Sequence, residues 1–328
     1  MNIKAVHVKN LKKKRKELGL TQKDVASKAE ISESSYKSIE TERSTSNYEV
    51  LKRIANILEL DIFEVIKRNT KVLTFALHKG GCGKTTVASN VIQILANRGY
   101  KILAVDADPQ KHLNKSFDMS TNEEKNLYKI FSEEDSTIKE NIVFSNNKNI
   151  DFLLAHHELT MGEIIIASAY QRETIFKRKL QPIVEEGVYD FIIIDTNPSL
   201  NFYNFNFLVS ADRVIIPLEA TPFGVEGLST FMKFFKQVKY SNPSVDILGI
   251  IFTQIDSRES IGSIMIDQVV ETFDDVHIFK SIVPRDTNNT KAQGLNTTIV
   301  SYAPESRASL SLQKIVDEIL SLLEKKEE

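Results

Sequence analysis

The chain has 328 residues, 42 Lys and Arg against 44 Asp and Glu, and a hydrophobic fraction of 41 %; that length and composition allow about two domains with buried cores. Its single cysteine, Cys82, excludes an intramolecular disulfide and any cluster of cysteine ligands within one chain. Met1 is followed by a polar, lysine-rich stretch, and no run approaches the ~18 apolar residues of a spanning helix, so a cytoplasmic protein without a membrane partner is expected.

Charge divides unevenly. Residues 1–70 carry 15 Lys and Arg against 10 Asp and Glu, whereas the remaining 258 carry 27 against 34. A small basic unit on a larger acidic body is the pattern of a polyanion-binding module attached to something else.

Residues 1–68 show helical periodicity and no strand pattern. Leu11, Arg15 and Leu18 mark a first helix ending at Gly19. Thr21 is the expected N-cap of a second helix, with Val25, Ala26 and Ala29 inward. Ser32 caps a third, with Tyr36 and Ile39 inward. Leu51, Ile54, Ala55 and Leu58 form a fourth apolar stripe, and Ile62, Phe63 and Ile66 a fifth. Short helices joined by a tight turn in a basic bundle suit a helix-turn-helix. The stretch from Arg15 to Ala26, Ile31-Ser32 and Ile39-Glu40 resembles the Cro/C1 (XRE) repressor type over about 60 residues. Glu30 and Glu42 stand where that type often has glycine. The resemblance implies that Gln22 contacts phosphate and that Ser32, Glu33, Ser34, Lys37 and Ser38 face base edges in the major groove.

A short polar linker, 67–71, leads into a buried strand at 72–77. Then follow His78-Lys-Gly-Gly-Cys-Gly-Lys-Thr-Thr86 and a helix carrying Ala88, Val91, Ile92 and Leu95. In a strand, glycine-rich loop, helix arrangement, backbone N–H groups and the helix N-terminus cradle phosphate. Lys84 is placed to reach the β- and γ-phosphates, and the Thr85 hydroxyl to hold Mg²⁺. His78 replaces the usual first glycine and Lys79 is an added cation. Further strands are expected within 102–110, ending in the two carboxylates Asp106 and Asp108, within 189–200, with Asp195 at the strand's C-terminal end, and at 211–217, 247–253 and 279–285. Strands alternating with helices predict an α/β fold, a parallel sheet covered on both faces with its carboxylates at strand C-terminal ends. Two domains follow: an all-α helix-turn-helix domain, 1–68, and a parallel-sheet P-loop NTPase domain, 69–328.

The loop Lys79-Gly-Gly-Cys-Gly-Lys-Thr-Thr86 is similar to the deviant Walker A of the ParA/MinD/nitrogenase-iron-protein group. The segments from 72 to about 323 resemble the ParA/Soj partition ATPases. That resemblance implies ATP and Mg²⁺ as cofactors, held by Lys79, Gly80, Gly81, Cys82, Gly83, Lys84, Thr85 and Thr86, with Pro284 and Arg285 beside the adenine. It implies that Asp106 and Asp195 sit near Mg²⁺ with Thr85, that Asp108 orients the attacking water, and that Lys79 crosses a dimer interface to the partner's ATP. It further implies slow hydrolysis, DNA partition and a small DNA-binding protein that stimulates turnover; a transcriptional regulator with ATP as an allosteric ligand is the alternative. Residues 286–294 depart from the family's run, which contains another Arg and Glu-Ala-Pro-Ser, so transfer of non-specific DNA binding is open. Arg258, Lys233, Lys236, Lys239 and Arg307 are the surface cations available for it, and a solvated face is the simpler reading of the lysines.

Three related functions are disfavoured. The C-terminal stripe of Ile315, Val316, Ile319, Leu320, Leu322 and Leu323 fits core packing better than a membrane-binding tail. An iron-protein reductase lacks its cysteines, and a tyrosine-kinase relative lacks a tyrosine-rich tail. Residues 112–150 read as a variable helical region without chemistry, and His156-His157 as a loop pair without carboxylate companions. The positive field at Cys82 predicts a reactive thiolate at the phosphate site.

Overall fold

A computed structural model describes residues 2–3, 8–41, 43, 46–60, 62, 65–66, 68–255 and 260–325. Glu42, Phe63, Lys67 and Arg258 lie outside the described residues. The chain divides into two compact units, Met1–Asn69 with Glu186–Val188, and Thr70–Glu185 with Tyr189–Glu328.

The first unit contains α1 (Val8–Glu17), α2 (Gln22–Lys28), α3 (Glu33–Glu40) and α4 (Tyr48–Ile57). Gly19 follows α1 with φ +66°, a conformation glycine adopts without steric cost. Thr21 caps α2 reciprocally: its hydroxyl accepts from the Asp24 N–H at 3.1 Å, and the Asp24 carboxylate accepts from the Thr21 N–H at 2.8 Å. Ser32 caps α3, accepting from the Ser35 N–H. Leu11, Val25, Tyr36, Ile39, Leu51, Ile54 and Leu58 close one core. One expectation changes. A two-residue antiparallel pair, β1 (Asn2–Ile3) with β2 (Ser46–Asn47), occurs in a unit read as wholly helical. Of the fifth apolar stripe, the described residues show the Val65 and Ile66 N–H groups both donating to the Ile62 carbonyl.

The second unit is built on one sheet of β3 (Lys71–Phe75), β4 (Ile102–Ala107), β5 (Val143–Phe144), β6 (Ile150–Leu153), β7 (Phe191–Thr196), β8 (Arg213–Glu219), β9 (Asp246–Ile255) and β10 (Val283–Pro284). Their order is β10-β9-β8-β3-β7-β4-β6-β5. All pairs are parallel except β5–β6 at one edge. Strands β3, β4 and β7 are buried along nearly their whole length because helices cover both faces. Helix α5 (Lys84–Asn97) lays Val87, Val91, Ile92 and Leu95 on the sheet, and the helix Arg307–Lys325 adds Leu312, Ile315, Val316 and Ile319 at helical spacing to the same core. Strand β10 is shorter than the sequence suggests. The region 112–150 is mixed: α6 (His112–Lys115), two further short helices and β5. Successive strands β3 and β4 flank β7, while β8 pairs on the other side of β3. This change of direction opens a crevice at the strand C-termini, where open α/β sheets bind ligands.

Candidate functional site

The loop after β3 turns through two left-handed glycines, Gly81 (φ +76°) and Gly83 (φ +83°), before α5 begins at Lys84. A side chain at either position would be strained. An open cleft of about 1250 Å³ lies over the strand ends and is lined by Gly80, Gly81, Cys82, Gly83, Lys84, Thr85, Thr86, Asp108, Pro284 and Arg285. It therefore gathers most candidate nucleotide-site residues, contributed by β3, β4 and β10. The Lys84 ammonium donates to the Lys79 carbonyl at 2.7 Å across the loop.

Two candidates lie beneath the cleft. Asp106 and Asp195 are fully buried and face each other in register on β4 and β7. Asp106 accepts from the backbone N–H groups of Asp108 and Asn114, at 3.1 and 2.9 Å. Burial and the Asp195 charge nevertheless hold its carboxyl well above the usual carboxylate range. Neither oxygen of Asp195 has a hydrogen-bond partner among the described residues. Burial pushes its carboxyl up to about 7, while Thr85 and Lys84 favour the charged form. Thr85 faces Asp195 from the loop without completing a bond of good geometry. A buried carboxylate without hydrogen-bond partners is costly. Asp108 is half-buried, its carboxylate accepting from the Gln110 N–H at 2.9 Å.

Lys79 is placed otherwise. Its ammonium lies 3.0 Å from the Glu219 carboxylate and 3.0 Å from the Thr221 hydroxyl, at the end of β8. Gly227, on the helix Pro222–Ser241, permits this approach, since a Cβ there would meet the His78 carbonyl at 3.3 Å and the Lys79 side chain at 3.6 Å. Cys82 is a correction. Its thiol is buried and donates to the Lys79 carbonyl at 3.3 Å, and burial raises its pKa against the pull of Lys84. Its backbone borders the cleft, but the sulfur belongs to the apolar core behind the loop, so the predicted reactive thiolate is not supported. His156 is a second correction: Glu123 lies 2.8 Å from Nε2 and Glu158 3.4 Å from Nδ1. Among the described residues no group of three or more His, Cys, Asp or Glu is gathered to hold a metal ion. Sequence reasoning missed Asn197, Ser199, Thr253, Gln254 and Gln293, which line the cleft. Their neutral side chains carry no spacing signal, although Asn197 follows β7 directly.

In the helical unit Glu33, Ser34 and Lys37 are exposed along the start of α3, and Ser38 is half-buried. The Ser32 hydroxyl, besides capping the helix, lies 2.9 Å from that of Ser34. The Gln22 side-chain amide donates to Glu40 at 2.5 Å and is engaged within the unit. Glu40 also pairs with Arg15 at 2.7 Å and accepts from the Tyr36 hydroxyl at 3.4 Å. Burial alone would raise the Glu40 pKa, yet hydrogen bonds from Arg15 and Gln22 leave it lowered.

A family model described as an AAA domain matches residues 70–247, and one described as helix-turn-helix matches residues 11–65. The chain is 31 % identical over 241 residues to the sporulation initiation inhibitor protein Soj of Bacillus subtilis, covering 73 % of this chain and 94 % of Soj. It is 29 % identical to the chromosome partitioning protein ParA of Caulobacter vibrioides, covering 76 % and 94 %. Its fold is similar to that of cobyrinic acid a,c-diamide synthase from Mycobacterium smegmatis, solved with an ATP analogue and magnesium, with TM-score 0.68, 24 % identity and 78 % and 97 % coverage. No helix among the described residues is long and apolar enough to cross a membrane. With the loop, the paired buried carboxylates and these similarities together, the chain belongs to the ParA/Soj family of partition P-loop ATPases, with a helix-turn-helix domain at its N-terminus.

Proposed function

We propose that this chain binds Mg-ATP in the cleft, dimerises on it, hydrolyses it slowly, and binds a specific DNA site through its helical unit to partition a replicon. The observation that carries the reading is Asp195, buried beside Thr85 and Lys84 with both oxygens unpartnered. Mg²⁺ fits there: it needs few protein ligands, keeps several waters, and would be held by the Thr85 hydroxyl with Asp106 and Asp195 behind it. When bound, the metal neutralises charge on the nucleotide's phosphates.

The chain's own residues do the rest. Backbone N–H groups from Gly80 to Thr86 and the start of α5 receive the phosphates, and Lys84 exchanges the Lys79 carbonyl for a phosphate oxygen. Asp108, on the cleft wall, orients the attacking water. Pro284 and Arg285 border the base. Lys79 leaves Glu219 and Thr221 when a second copy presents its nucleotide, placing a cation where charge develops. In the helical unit Glu33, Ser34 and Lys37 read base edges with Ser32 and Ser38 beside them, and Gln22 must release Glu40 to donate to a phosphate.

A small DNA-binding partner that speeds hydrolysis, and repression of the chain's own operon, belong to the same reading. The test is turnover of Mg-ATP together with sedimentation. Wild type should dimerise on ATP and release phosphate slowly. Lys79→Ala should bind ATP but neither dimerise nor turn over, and Asp108→Ala should accumulate as the ATP-bound dimer. ATP binding that changes operator affinity without turnover in any condition would favour the transcriptional regulator instead.

A further inference from the structure

We infer that Thr253 and Gln254, at the C-terminal end of β9, are positioning residues that hold the phosphate loop in its receptive shape; the inference rests on the cleft being a nucleotide site. The buried Thr253 hydroxyl donates to the Cys82 carbonyl at 2.8 Å. The Gln254 side-chain amide donates to the carbonyl of Gly81. Two consecutive loop carbonyls are thus held from one strand end.

The consequence follows from peptide geometry. The Gly81 carbonyl shares a planar peptide with the Cys82 N–H, and the Cys82 carbonyl shares one with the Gly83 N–H. In a trans peptide the N–H points opposite to the C=O, and no cis bond occurs among the described residues. With both carbonyls held toward β9, the Cys82 and Gly83 N–H groups are aimed away from it, as a concave anion cradle requires. Without that hold, a segment containing two left-handed glycines has much freedom to lose on binding. Thr253 also packs behind Gly83, where a Cβ would lie 3.6 Å from its Cβ and Cγ2.

Gln254 adds an independent sign. Its φ is +56°, uncommon for a residue with a side chain. That strained backbone directs its amide back to the loop, and strain of this kind gathers at ligand-binding segments. Strand β9 is separated from β3 by β8, so these bonds tie the loop to a strand two places away.

The experiment is calorimetric titration of Mg-ADP into the full-length protein, with KM and kcat for ATP measured alongside. Thr253→Val keeps the shape but removes the donor. It should raise both the dissociation constant and KM about tenfold, the cost of one unanswered buried carbonyl, and leave kcat within about twofold. Thr253→Ser restores the hydroxyl and should return both to within about twofold of wild type. Gln254→Met, at a half-exposed position, should raise them about threefold. Wild type that binds Mg-ADP while Thr253→Val and Gln254→Met bind it equally well overturns this inference alone. Thr253→Ser failing as badly as Thr253→Val assigns Thr253 to packing behind Gly83, and also overturns it. Should Thr253→Val not fold, Gln254→Met decides. Wild type that does not bind Mg-ADP defeats the reading of the cleft itself.

Discussion

In the helical unit the buried carboxylate of Glu40 is answered by Arg15, Gln22 and Tyr36, and its pKa is lowered. In the sheet unit the buried carboxylate of Asp195 is answered by no hydrogen bond among the described residues, and its pKa is pushed up to about 7. A closed polar network holds a shape, here the pairing of α1, α2 and α3, and leaves the outer side chains of α3 free for a partner. An open one costs stability until something outside the chain completes it. The contrast predicts that damage to the first network is read as lost folding, and damage to the second as lost binding.

The largest effect should come from Arg15→Ala. It leaves Glu40 buried without its main partner, at a cost of about 3–5 kcal/mol. Hydrogen exchange followed by mass spectrometry should show the helical unit losing protection while β3, β4 and β7 keep theirs. Equal loss in both units would end the separation argued above. Lys84→Ala comes next. It should weaken Mg-ADP binding about 100-fold, within the range of a lost charge-assisted contact of about 3 kcal/mol. Apo stability should change less than binding, because the hydrogen bonds of the ammonium are to the Lys79 carbonyl and the Cys82 sulfur. A folding defect larger than the binding defect would contradict the assignment.

Acidity should drive the two units in opposite directions in metal- and nucleotide-free protein. The Glu40 carboxyl is held below the ordinary glutamate value of about 4.5 by the Arg15 and Gln22 hydrogen bonds. Its contribution is present above that value and is lost as pH falls through the folded one. Asp195 is raised from 3.8 to about 7. Its contribution is full below 3.8 and is lost as pH rises toward 7, at most about 1.4 kcal/mol per pH unit. The sheet unit of wild type should therefore weaken between about pH 4 and 7, and Asp195→Asn should make that decline shallower, the raised carboxyl of buried Asp106 keeping part of it. The helical unit should weaken only on the acid side of about pH 4.5. Exchange corrected for intrinsic rates, measured from pH 4 to 8, separates these; an Asp195→Asn profile parallel to wild type would show Asp195 to be compensated.

Local signals were legible in the sequence wherever one residue type has one physical use. Thr21 and Ser32 cap helices because short side-chain oxygens reach free N–H groups. Gly81 and Gly83 mark a loop because other residues resist positive φ. Continuous apolar runs gave β3, β4 and β7. Long-range relations were not legible. Nothing local tells that Lys79 rests on Glu219, 140 positions away, that Gln22 is engaged by Glu40, or that Thr253 meets the Cys82 carbonyl. Cys82 shows how local reasoning fails: its charged neighbours imply a thiolate, but the tertiary core decides the direction. Strands β5 and β6 were hidden because segments of two and four residues carry too little periodicity to read.

The smallest expected effect concerns Glu30, which stands where the resembling repressors often have glycine. It has φ +58° in the turn between α2 and α3, a conformation costing a non-glycine residue about 1–2 kcal/mol. Against that stands an ion pair with Arg53 at 3.5 Å between exposed side chains, worth at most about 1 kcal/mol. Glycine also loses more entropy on folding, so the gain from Glu30→Gly should be about 0.5 kcal/mol. It should appear as slower exchange in α2 and α3 alone, with Mg-ADP affinity unchanged. Gly19→Ala, also at positive φ (+66°) but starting from glycine, should move the same segment the opposite way. Were Glu30→Gly to destabilise the unit instead, the Arg53 pair would outweigh the backbone strain, and the helical unit would depend on a contact at its surface as well as on the closed network around Glu40.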